Sequence, residues 1–75
     1  MKKPFKISEK NQKLIDILSK KHFGGHYTIF SFTTGYSFSF TTINSREGIY
    51  ELDLYDCLDD AITNAIQELI IEKNL

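Results

Sequence analysis

FGGHYTIFSFTTGYSFSFTTINS, residues 23–45, contains no Lys, Arg, Asp or Glu. Five of the six Phe and two of the four Tyr fall in these 23 residues, interleaved with Ser and Thr. Alternation of rings with small polar side chains has the period of a pleated strand, and the Thr-Thr-Gly at 33–35 interrupts it, so the stretch reads as a β-hairpin. Thr28, Phe30 and Phe32 share one face of the first strand. Tyr36, Phe38 and Phe40 alternate with Ser37, Ser39 and Thr41 in the second. Loop length sets the register. A two-residue loop at Thr34-Gly35 divides the rings between the two faces. A three-residue loop, Thr33-Thr34-Gly35, pairs Phe32 with Tyr36 and Phe30 with Phe38, and puts Gly35 at the left-handed position such loops require. It gathers all five rings on one side, which favours it through burial.

Upstream, Ser8 is a helix N-cap and Glu9 suits the positive end of the helix dipole. Ile7, Asn11, Leu14, Ile15, Leu18 and His22 follow on one arc, with Ile17 at its border. Glu9 with Lys13 and Asp16 with Lys20 are i,i+4 pairs on the other side. Gly24-Gly25 ends the helix. Downstream, 44–48 reads as a turn and Ile49 to Leu54 as a third strand. Pairing Ile43 with Ile49 sets Phe40 against Leu52 and Phe38 against Leu54. A last helix begins near Asp56, with Asp59 and Asp60 in its first turns and Leu58, Ala61, Ile62, Ala65, Ile66, Leu69 and Ile70 as its apolar arc. Ile71 lies on the polar side, between Asn64 and Gln67.

The expected fold is α+β, a two-layer sandwich of order α-β-β-β-α. A three-stranded antiparallel meander carries both helices on one face. Residues 1–75 form a single domain with 1–7 as an N-terminal arm. The opposite sheet face is expected to show Tyr27, Ile29, Ser31, Ser37, Ser39, Thr41, Ile43, Ile49, Glu51 and Asp53.

The net charge of −1 conceals an asymmetry. Residues 1–22 carry seven Lys against two acids; residues 46–75 carry eight acids against Arg46 and Lys73. Two helices that pack side by side and attract each other account for this; the sharper reading is a dipolar molecule with one acidic face that competes for a basic partner. Cys57 is the sole cysteine, so no disulfide supports the small core, and a lone thiol fits a reducing cytoplasm. No apolar run is long enough to span a membrane, and the basic start lacks the apolar segment of a signal peptide. Eight Lys to one Arg, many Ile and two Ala suggest an AT-rich coding genome, common in bacteria and their phages.

No catalytic set emerges. There is no Gly-x-Ser-x-Gly elbow and no phosphate loop. His22, His26 and Cys57 lack the spacing of a metal site. Asp53, Asp56, Asp59 and Asp60 are accounted for by their place at a helix N-terminus. Neither enzyme activity nor a cofactor is expected.

The order α-β-β-β-α resembles the double-stranded RNA-binding domain in length and layout. That family carries a run of Lys at the start of its last helix, where it grips phosphate. Here the stretch is Asp56-Cys57-Leu58-Asp59-Asp60, of opposite sign, which speaks against nucleic acid as a partner. Over Tyr50 to Leu69, the run Asp56-x-Leu58-Asp59-Asp60-Ala61-x-x-Asn64-Ala65 resembles the strand-helix end of HicB-type antitoxin domains, which have a Leu-acid-acid-Ala run after a three-stranded sheet.

The reading that remains is a small, non-catalytic cytoplasmic protein that binds and masks another macromolecule. Inhibitors encoded by phages or mobile elements, such as anti-CRISPR and other anti-defence proteins, are of this kind. The expected partner is a protein with a basic nucleic-acid-binding surface. Asp53, Asp56, Asp59, Asp60, Asn64, Gln67, Glu68 and Ile71 form the expected docking face. A homodimer is expected through the uncharged sheet edge at Tyr27, Ile29, Ser31 and Thr33, since an edge without charge or Pro invites another strand. The alternative is a nucleic-acid-associated regulator, antitoxin-like or a divergent double-stranded-RNA-binding-like domain.

Overall fold

Ser8 caps the first helix, its Oγ accepting from Asn11 N–H at 3.2 Å. The structure, a computed structural model, describes residues 2–41 and 46–74. Helix α1 runs Glu9–His22 and buries Asn11, Ile15 and Leu18 from the arc its spacing predicts, and also Ser19. It ends where Gly24 and Gly25 take positive φ and the N–H groups of Phe23 and Gly25 both turn back onto the Ser19 carbonyl. Strands β1 (Thr28–Phe32) and β2 (Gly35–Ser39) pair antiparallel. Helix α2 is short, Arg46–Tyr50, and α3 runs Leu58–Lys73. Asn74 closes α3 in the left-handed conformation, its N–H on the carbonyls of Ile70 and Ile71.

The chain is thus a small α+β domain with two antiparallel strands and, among the described residues, three helices. Helix α3 packs across β2, and α1 packs on α3. Ile15 and Leu18 meet Tyr36, Phe38 and Phe40 and the α3 residues Leu58, Ile62, Ile66 and Leu69 in one core. Phe23 stacks on Phe40 at 5.2 Å between centroids, tying the end of α1 to β2. Residues 2–5 lie against the hairpin end of the sheet. Lys3 N–H donates to Asp56 O, Tyr36 O–H donates to Lys3 O, and Phe5 meets the Tyr36 ring edge-on.

The hairpin register differs from the expected one. Phe32 pairs with Gly35, Ser31 with Tyr36 and Ile29 with Phe38, so the loop is Thr33-Thr34 alone. Neither Thr takes positive φ, which would be costly for a β-branched residue. Gly35 therefore serves another purpose. A Cβ built there would stand 2.9 Å from the Tyr55 carbonyl oxygen, so its hydrogen allows the backbones to touch. The shift divides the rings. Tyr36, Phe38 and Phe40 face the core with Ile29, while Phe30 and Phe32 stack on each other, half-buried, on the opposite face. Ile29, expected outside, packs on the core, and Ser37 is buried.

No third strand forms over Ile49 to Leu54 among the described residues. Ile49 and Tyr50 belong to α2, and only Tyr55 bridges β2, opposite Tyr36. The physical reason lies in the divided rings. With Phe30 and Phe32 off the core, Ile49, Leu52 and Leu54 line a shared apolar concavity beside Phe32. The bridge register also stands one residue away from the expected pairing of Phe38 with Leu54. Ile43, with 44 and 45 of the expected turn, lies outside the described residues. Cys57, not Asp56, is the N-cap of α3, and its side chain makes no capping bond.

Candidate interaction site

Tyr55 organises the acidic side of the molecule. Its N–H donates to Tyr36 O at 2.8 Å, and its carbonyl accepts from Tyr36 N–H at 2.7 Å. The pair of bonds holds the chain against β2 and places Asp53 beside the first turns of α3. On α3, Asn64 Nδ2 donates to Glu68 Oε1 at 3.3 Å, one helical turn on. Asp53, Asn64 and Glu68 then line one groove with Glu51, Tyr55 and Ser37. Burial raises the Tyr55 phenol pKa, and the negative charges of Asp53 and Glu68 raise it further. Two carboxylates from distant parts of the sequence thus act on one hydroxyl.

The groove has a volume of about 210 Å³, below the roughly 300–1,000 Å³ of small-molecule sites. It suits side chains or a stretch of chain. It continues along β2 past Phe38 towards Phe40, Leu69 and Glu72, with Phe38, Ala65 and Glu68 common to both parts.

The other expected docking residues divide between two sides of α3. Asp60 and Gln67 are exposed, and Ile71 is 79 % exposed, the most open apolar residue on the helix. Asp56 is exposed and its carbonyl accepts from Lys3. Asp59 is turned away from the groove. Its Oδ1 accepts from Ser8 N–H at 3.0 Å and from Asn11 Nδ2 at 2.8 Å. These bonds, the Ser8 backbone bond first, hold its pKa below the ordinary carboxylate value against a smaller opposing effect of burial. Asp59 joins two helices, a role its position at a helix start does not reveal. Glu51, Tyr55 and Glu72 are groove residues that sequence reading missed. Their nearness depends on how the 51–55 segment turns beside β2, which no local pattern encodes.

β1 has no neighbour on its outer side among the described residues. Tyr27 stacks on Phe38 at 5.6 Å, Ile29 packs inward, Ser31 accepts a 2.9 Å bond from Lys2 Nζ, and Thr33 lies exposed in the turn. His22 Nε2 is buried without a partner among the described residues. Among the described residues, no group of three His, Cys, Asp or Glu is placed to hold a metal, and no helix is long and apolar enough to cross a membrane.

Comparison with protein families, with curated proteins and with solved structures finds no match to this chain.

Proposed function

We propose that this chain is a non-catalytic binding protein that masks a basic surface of another macromolecule with its acidic side. The observation that carries the reading is the convergence of Asp53 and Glu68 on Tyr55, with Glu51 and Glu72 along the same groove. Like charges brought together by the fold raise the local field and favour a cationic partner. Ile71 adds an exposed apolar contact at the far end of α3. A protein with a nucleic-acid-binding surface has the matching charge. Anti-CRISPR and other anti-defence inhibitors of phages or mobile elements are the class to test first. Pairing of two copies through the β1 edge belongs to the same proposal.

Capture of partners from bacterial cells, compared across charge reversals, tests this. The double variant Asp60→Lys with Glu68→Lys is expected to abolish binding, while Lys13→Glu with Lys20→Glu leaves it intact. The opposite pattern overturns the proposal and makes α1 the working surface; recovery of RNA with the unmodified chain then favours the nucleic-acid-associated reading.

A further inference from the structure

The second edge of β2 is only started as a ladder. Tyr36 sends both its N–H and its C=O outward, to Tyr55. Backbone direction alternates along a strand, so Phe38, two residues further on within β2, aims its backbone groups to the same side. Among the described residues nothing pairs with Phe38 there, because the chain opposite leaves β2 immediately beyond the Tyr55 bridge. What faces this edge is the groove floored by Ala61, Ala65 and Leu69 of α3. Two alanines in that floor leave space where larger side chains would close it. Ser37 to Ser39, the end of β2, spans about 7 Å at roughly 3.3 Å per residue, room for about two to three residues of extended chain.

Charge selects the occupant. Glu51, Asp53, Glu68 and Glu72 line the groove, and among the described residues no Lys or Arg does. We infer that the edge of β2 from Ser37 to Ser39 is a strand-addition site for an extended segment of a partner protein that alternates small apolar residues with Lys or Arg. Main-chain bonds to Phe38 supply affinity. The apolar side chains lie on Ala61 and Ala65, and the cationic ones reach Glu68 and Asp53. The inference rests on the acidic side being the partner-binding side and adds the mode of recognition.

The probe is an acetylated, amidated hexapeptide alternating lysine and valine, titrated into the isotopically labelled full chain. The expected result is saturable shifts at the amides of Ser37 to Ser39, with slowed hydrogen exchange at the Phe38 N–H. Glu68→Lys weakens binding about tenfold or more. A peptide of the same charge, N-methylated on alternate residues, cannot form the ladder and binds about tenfold or more weaker. Absence of binding by the parent peptide overturns the inference, as does unchanged exchange at Phe38 on saturation. Equal binding of the N-methylated peptide, still abolished by Glu68→Lys, removes strand addition and leaves the acidic-side reading standing. If Glu68→Lys has no effect on peptide or captured partner, both fall.

Discussion

Asn11 Nδ2 donates to Asp59 Oδ1 at 2.8 Å and also lies 3.2 Å from Asp59 O and 3.0 Å from Thr63 Oγ1, so one side-chain amide joins α1 to the first turns of α3. Asn11 is 6 % exposed. Removing a partner from such a buried set leaves the others unsatisfied, at about 1–3 kcal/mol. Asn11→Ala and Asp59→Ala should each destabilise the domain by that amount. The double variant should fall well short of the sum, because both remove the same joint. Urea denaturation of the three variants checks this.

The same joint makes stability depend on acid. The pKa of Asp59 is lowered in the folded chain, so the folded state holds the proton less tightly than the unfolded one. The contribution is complete above the ordinary carboxylate value of about 3.9 and is lost as pH falls through the lowered folded value. Melting temperature followed from pH 6 downward should decline in this window. Asp59→Asn should flatten the decline and lower the plateau above it.

Phe38 and Phe40 face the core, whereas Phe30 and Phe32 are half-buried on the other face. Phe38→Ala or Phe40→Ala should cost roughly 3–5 kcal/mol, enough to unfold a domain this small. Phe30→Ala should cost clearly less. Ser39→Ala should change stability by under about 0.5 kcal/mol. Equal losses at Phe30 and Phe38 would show that the rings share one face after all.

Gly35→Ala tests the contact between the backbones. The added methyl would stand 2.9 Å from Tyr55 O, and a rigid backbone atom cannot yield as a side-chain tip can. The expected loss is about 1–3 kcal/mol, with faster hydrogen exchange at the Tyr36 and Tyr55 amides. Normal protection at both would mean that the bridge tolerates displacement.

A dimer through β1 should give about twice the chain mass by light scattering at micromolar concentration. Ser31→Lys places a second cation beside Lys2 on this edge and should shift the mass towards the monomer. A monomer at all concentrations, with rapid exchange along β1, removes the dimer from the proposal.

Both long helices were legible from residues close in sequence. Spacing of 3.6 marks the buried arcs of α1 and α3, and Ser8 and Gly24-Gly25 set the ends of α1 by local backbone chemistry. The hairpin too was legible, because its alternation has no helical alternative. Its register was not. A slip of one residue exchanges the faces of every side chain, and the choice rested on Gly35 meeting Tyr55, twenty positions away. Alternation over Ile49 to Leu54 suits a third strand, yet Ile49 ends up in α2 and Leu52 in the segment after it, both beside Phe32. Only the position of Phe32 separates the two arrangements. Charge shows the same division. That the later part of the chain is acidic can be read from composition. That Asp59 is bound into the α1 joint while Asp53 and Glu68 converge on Tyr55 depends on which backbones pack together, and packing acts between residues that sequence distance keeps apart.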